Sequence, residues 1–173
     1  MQLVFGVVGW KNCGKTTLTE RLITEFTTRG LSVSSIKHTH HDVDVDRATT
    51  DSFRHRIAGA GEVMLVGGAR LALMREYRDQ PEPPFSELLQ MMRPCDLVLV
   101  EGYKQVPMDR IEVYRREAGQ QTLWASQDER VRAIASDCLI ESMGRPLFSL
   151  DDVAEIADFI WETVTCPESK RHL

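Results

Sequence analysis

Gly9-Trp10-Lys11-Asn12-Cys13-Gly14-Lys15-Thr16 sets two glycines, a lysine and a hydroxyl at the spacing G-x-x-x-x-G-K-[ST]. Residues of these types in this order suit the capture of a phosphate. Backbone N–H groups of the glycine loop and of a following helix start converge on an anion, and the helix dipole adds to the attraction. Gly9 and Gly14 permit approaches that a Cβ would block, and Asn12 and Cys13 complete the cradle between them. Lys15 can reach β- and γ-phosphates. The Thr16 hydroxyl, with Thr17 beside it, can serve phosphate and a Mg²⁺ ion.

The flanking elements are those that such a loop needs. Leu3 to Val8 is a short apolar run rich in β-branched residues, so a strand is predicted before the loop. Leu18, Leu22, Ile23 and Phe26 recur at helical spacing, which predicts a helix over 15–28 ending near Arg29-Gly30. A second strand is predicted over 31–37. Strand, helix and strand in about 35 residues make a βαβ unit, and hence a sheet parallel at its centre.

Further chemistry is expected where the strands end. Asp96 to Gly102 is an apolar strand closed by an acid and a glycine, the pattern of a central strand buried on both faces. Asp96 and Glu101 lie roughly 16 Å apart at strand rise, so only Glu101 can face the ligand side. Glu101 is read as the acid that orders Mg²⁺ and acts in catalysis beside Lys15, with Gly102 leaving backbone room. Lys37-His38-Thr39-His40-His41-Asp42-Val43-Asp44-Val45-Asp46 begins at the same end of the second strand. It admits three readings: contact with a nucleotide or other anion, a transition-metal site, or a solvated polar stretch with three carboxylates on one face.

Asp51 is either the N-cap of a short helix over 51–60 or a Mg²⁺ group. Tyr103 and Lys104 either meet a ligand or are solvated. The segment 110–116 alternates as a half-exposed strand whose arginines, Arg110, Arg115 and Arg116, read as solvated charges. A hairpin is expected over 62–75, with Gly67-Gly68 as a primed turn, and its apolar edge suits self-association. Further expectations are a helix from Phe85 to Met92, a strand over 131–137, a short strand at 146–148, and a helix carrying Val153, Ile156, Ile160 and Val164.

The whole chain has 173 residues, 42% of them hydrophobic, which fits one domain over 1–173 with a flexible tail at 165–173. Its net charge of −5 and lack of a basic block argue against nucleic acid or an anionic membrane as partner. The four cysteines form no C-x-x-C pair. With no signal-type segment and no apolar run of about 20 residues, the expectation is a reduced cytoplasmic protein.

Taken together and in order, the phosphate loop, the Lys37-to-Asp42 block, Asp51 to Ala60, Leu99-Val100-Glu101-Gly102-Tyr103-Lys104 and Ile134 to Asp137 resemble the molybdopterin-guanine dinucleotide biosynthesis protein B family. The resemblance spans residues 3–164. It implies a P-loop NTPase fold: a mostly parallel sheet flanked by helices, with an antiparallel hairpin. It also implies a homodimeric GTP-binding adaptor with weak GTPase activity, dependent on Mg²⁺. Its partners would be the guanylyltransferase that attaches GMP to molybdopterin (protein A of the pathway) and the molybdopterin-inserting protein. By position, Gly14, Lys15, Thr16 and Thr17 would hold phosphates and metal, Glu101 would serve Mg²⁺, and Lys37, His38, Thr39 and His40 would face the ligand. Two features depart from related proteins. No N-K-x-D sequence is present to read guanine, so the sequence does not identify the residues that read the base, and Ile134 to Asp137 is only the side on which the base is expected. Trp10 stands where related dimeric NTPases carry a second lysine. A small-molecule kinase or ATP-dependent ligase and a metal-delivery GTPase remain the alternatives.

Overall fold

In the computed structural model, residues 2–39, 46–119 and 123–166 are described. The chain divides into two compact units, one of residues 1–39 with 92–173 and the other of residues 40–91.

The larger unit is built on a six-stranded sheet in the order β2-β5-β1-β6-β7-β8, and every neighbouring pair is parallel. Its strands are β1 (Leu3–Gly9), β2 (Val33–Lys37), β5 (Leu97–Glu101), β6 (Arg110–Tyr114), β7 (Val131–Ser136) and β8 (Leu147–Ser149). Two helices, α1 (Lys15–Thr28) and α4 (Val153–Thr165), cover one face. Leu18, Leu22 and Phe26 of α1 and Ile156 and Ile160 of α4 pack there against Phe5, Val7, Leu97, Leu99, Ile111 and Val113. Each fully buried side chain of this size contributes about 1.5–3 kcal/mol, so this layer is what fixes α1 behind the loop. The opposite face is thinner. Val8, Val131 and Ile134 meet Ala125 of a 3₁₀ turn (Trp124–Ser126).

β5 to β6 is joined by residues 102–109 alone, although β1 lies between the two strands. Parallel strands ordinarily need a dozen or more connecting residues. The stagger of β6 removes that need. Val7 of β1 is level with Glu101 at the end of β5, while Gly6 is already level with Arg110 at the start of β6. The connection therefore crosses β1 almost without descending. It does so against Gly6, where a Cβ would stand 2.9 Å from the Arg110 Cβ.

β6 differs from its predicted character. The alternation suggests one wet face, yet Arg110, Ile111, Glu112 and Val113 are all buried. The polar positions point into the second face and are paired there, so alternation reports the two faces without saying that one is solvated.

The smaller unit holds α2 (Asp51–Ile57), β3 (Glu62–Val66), β4 (Leu71–Arg75) and α3 (Phe85–Met91). Thr50, rather than Asp51, is the N-cap of α2, its hydroxyl accepting from the Phe53 N–H. β3 and β4 form a two-stranded sheet of their own. The expected Gly67-Gly68 turn is displaced by one residue. Gly67 donates to the Arg70 carbonyl at 2.9 Å, leaving Gly68-Ala69 at the tip, and neither glycine has the positive φ of a primed turn. Among the described residues no helix is long and apolar enough to cross a membrane.

Candidate functional site

The loop from β1 to α1 lies at the carboxyl ends of the parallel strands, where open α/β sheets receive ligands. Gly9 is required by crowding. A Cβ there would come 2.5 Å from the Val113 carbonyl oxygen and 2.7 Å from the Cys13 sulfur. Gly14 caps α1 in a left-handed conformation, φ 95°, and Asn12 shares it at φ 61°. Cys13 is fully buried beneath the loop, and burial pushes its thiol up against the opposing pull of Lys15. Its side chain packs in the core beneath the loop. Lys15 folds back, its ammonium donating to the Trp10 carbonyl at 2.6 Å, so the loop lysine is held by its own loop.

Three residues from three elements meet beside it. The Thr16 hydroxyl, at the start of α1, donates to Glu101 Oε1 at 2.8 Å. The Lys37 ammonium, at the end of β2, lies 3.1 Å from Thr16 Oγ1 and 3.2 Å from Glu101 Oε1. The sheet makes this meeting unavoidable, because Lys37 and Glu101 are register partners on adjacent parallel strands. At the far end of the same strand pair, Asp96 accepts from the N–H and hydroxyl of Ser32 at 2.7 and 2.6 Å. It secures the strand start, as its position predicts.

Gly102 follows Glu101 at φ 92°, and a Cβ there would lie 2.9 Å from the His38 carbonyl oxygen. The two segments are tied where they touch. The His38 N–H donates to the Glu101 carbonyl at 2.9 Å, and the Tyr103 ring stacks on the His38 ring with centroids 4.1 Å apart. Tyr103 thus meets a side chain of its own protein.

The other flank of the loop was not legible as a site. Lys104 places its ammonium 4.1 Å over the Trp124 ring and 5.7 Å from Trp10, and the two indoles are 5.8 Å apart. Burial and the nearby Lys15 charge lower the pKa of Lys104. Glu112 is wholly buried and accepts from the Trp124 and Ala125 N–H groups at 3.0 and 2.9 Å. Burial raises its pKa, the two N–H donors working against the shift. Arg110 is 2% exposed, not solvated as expected. Its guanidinium donates to the carbonyls of Met108, Lys104 and Val106 and lies 3.4 Å from Asp128. One buried arginine thereby ties down the connection that carries Tyr103 and Lys104. A cavity of about 160 Å³ lies among Val8, Lys104, Arg110, Trp124, Gln127 and Asp128.

Arg115 also departs from expectation. Its Nε stands 2.8 Å from where a Gly14 Cβ would be, so the guanidinium lies over the start of α1. The signal that could have found it is register: Gly9 pairs with Val113, which carries the next residues of the chain over the loop. Arg116 donates its N–H to Asp137 at 3.2 Å, linking the ends of β6 and β7.

His40, His41, Asp42 and Asp44 lie outside the described residues. Asp46 belongs to the smaller unit, where its carboxylate accepts from Thr50 and Ser52 at 2.7 and 2.9 Å. These bonds, Thr50 first, lower its pKa, so Asp46 is a structural acceptor and not a solvated charge. Asp51 is in the same unit and pairs with Arg54 at 3.6 Å. Among the described residues, no group of three or more His, Cys, Asp or Glu is placed to hold a metal.

Comparison with known proteins agrees with this architecture. Residues 4–137 match the family model described as molybdopterin guanine dinucleotide synthesis protein B. The molybdopterin-guanine dinucleotide biosynthesis adapter protein of Escherichia coli is 38% identical over 155 residues, covering 88% of each chain. That of Haemophilus influenzae is 39% identical over 160 residues, covering 91% of this chain and 86% of its own. Among solved structures, the MobB homolog of Bacillus stearothermophilus superposes with a TM-score of 0.69 at 28% identity, over 95% of this chain and 99% of that one. With a P-loop sheet matched along nearly its whole length, the chain belongs to the molybdopterin guanine dinucleotide synthesis protein B family.

Proposed function

We propose that the chain is a GTP-binding adapter of molybdopterin-guanine dinucleotide biosynthesis, working with Mg²⁺ and hydrolysing GTP slowly. The observation that carries this reading is the contact of Thr16 with Glu101 at 2.8 Å beside the glycine loop. The donor set fits magnesium: a hydroxyl and a carboxylate are hard oxygen ligands, and a cation, the Lys37 ammonium, already rests against both. When bound, Mg²⁺ would neutralise charge on the β- and γ-phosphates.

The remaining chemistry belongs to the chain. Loop N–H groups and the α1 dipole would hold the phosphates, and Lys15 would leave the Trp10 carbonyl to meet the γ-phosphate. Glu101 and Thr16 would hold the ion and thereby fix the phosphate chain. Hydrolysis resting on positioning alone would run well below the roughly 1–100 s⁻¹ of kinases. His38 would line the ligand side through its N–H bond to the Glu101 carbonyl, with Thr39 next to it in the chain. Asp51 as a magnesium group and His40 as a ligand-side residue are kept as proposals from the sequence alone.

Partner and assembly follow the family. The adapter role named for the relatives supports docking to a partner enzyme of the pathway; the family resemblance implies the guanylyltransferase that joins GMP to molybdopterin, with the molybdopterin-inserting protein as a second partner. The hairpin exposes Met64, Leu65, Val66, Leu71 and Leu73, an apolar surface suited to pairing with a second copy. Equilibrium binding of GTP and ATP, each with Mg²⁺, tests the reading. Preference for GTP, lost in Lys15→Ala, is expected; preference for ATP would replace the adapter with a kinase or ligase.

A further inference from the structure

Lys37 is 59% exposed at its side chain, yet its ammonium folds back onto the protein. It turns back onto Glu101, whose side chain is only 10% exposed, and onto the Thr16 hydroxyl. These are the two groups that the proposed function assigns to Mg²⁺, and their oxygens are 2.8 Å apart. A monovalent cation of the chain itself thus sits at the seat of a divalent one. Two cations do not share one carboxylate oxygen comfortably, because the repulsion between them at contact distance is severe in a partly dry site. Arrival of the ion must therefore move the ammonium.

We propose that Lys37 is a γ-phosphate ligand that is parked in the magnesium seat until the ion displaces it; the inference rests on the GTP-binding reading above. The geometry limits where the ammonium can go. β2 and β5 are locked in register at Lys37 and Glu101, and the His38 N–H is bonded to the Glu101 carbonyl, so the backbone at Lys37 stays in place. Only the four-carbon stem is free to swing. From the end of β2 its reach covers the space in front of Thr16, where the outermost phosphate of a nucleotide held by Lys15 would lie. Lys37 then senses the third phosphate: with GTP it gains a new anionic partner, and with GDP it gains none.

Two measurements on Lys37→Met and Lys37→Arg decide the matter, with thermal unfolding as a check that both variants fold. The first is Mn²⁺ binding without nucleotide, followed by electron paramagnetic resonance. Removing the competing ammonium in Lys37→Met is expected to tighten Mn²⁺ binding about fivefold. The second is affinity for GTP and GDP with Mg²⁺. Lys37→Met is expected to weaken GTP about tenfold and GDP less than about twofold, and Lys37→Arg to recover most of the difference. Unchanged Mn²⁺ binding, or equal losses for GTP and GDP, would overturn the proposal. Failure of the unaltered chain to bind either nucleotide would instead sink the GTP reading, and the Mn²⁺ titration would still decide whether Lys37 holds the seat.

Discussion

The two flanks of β1 carry the same kinds of residue and treat them in opposite ways. Toward β5 and β2, Thr16, Lys37 and Glu101 bond to one another through side-chain atoms at an open edge. Toward β6, Arg110 and Glu112 bond to backbone, the first to three carbonyls and the second to two N–H groups. Side-chain partners at an edge can be exchanged for a ligand. Backbone partners in the interior cannot be exchanged without unfolding the loop they belong to. One flank is therefore suited to binding and the other to holding the loops that frame it.

That contrast is open to direct attack. The largest effect on binding is expected from Lys15→Ala, which should weaken GTP by roughly 100-fold, about 2.7 kcal/mol, while the melting temperature barely moves. A large loss of stability in that variant would break the contrast. Arg110→Met should do the reverse. It strands three carbonyls and Asp128, so unfolding should become easier by about 2–4 kcal/mol in denaturant titrations. Glu112→Gln should cost about 1–3 kcal/mol, since an amide nitrogen would face one of the two N–H donors.

The Glu112 variant has a pH signature as well. The folded-state pKa of Glu112 is raised by burial. Between the ordinary carboxylate value and that raised value, the folded chain holds a proton that the unfolded chain has released. Stability must then fall as pH rises through this window. Glu112→Gln should flatten that slope in pH-dependent melting curves. An effect of the same size as that of Glu112→Gln, about 1–3 kcal/mol at a single turn, is expected from Gly102→Ala, which combines a positive φ with contact on the His38 carbonyl. It sharpens the contrast because it alone should disturb binding and stability together.

The same division explains how much could be read before the structure. The open flank was legible because its chemistry is written in local motifs: the loop spacing, an acid after a buried strand, and a lysine at the end of the neighbouring strand. Sheet register brings Lys37 to Glu101 only because β2 pairs with β5, an adjacency that no local motif announces. The closed flank was not legible, because nothing in Arg110-Ile111-Glu112-Val113 distinguishes a strand with water on one face from one whose charges meet backbone in the interior. Arg110 finds its carbonyls only because β6 starts level with Gly6, a stagger that no local pattern announces. Asp51 illustrates the limit at short range. The helix start was legible to within one residue, but Thr50 outcompetes Asp51 because its hydroxyl reaches the Phe53 N–H.

The Trp10 and Trp124 contact has an optical consequence. The chain has three tryptophans, and Trp161 lies on α4 against Phe26, away from the loop. The other two share a cation, Lys104, and Trp10 supplies the carbonyl that holds Lys15. Any phosphate that draws Lys15 away alters the charge distribution around a coupled indole pair. The emission of the unlabelled protein should therefore shift on filling of the loop, with Trp10→Phe removing most of the signal and Trp161→Phe almost none. The molecule carries its own dye.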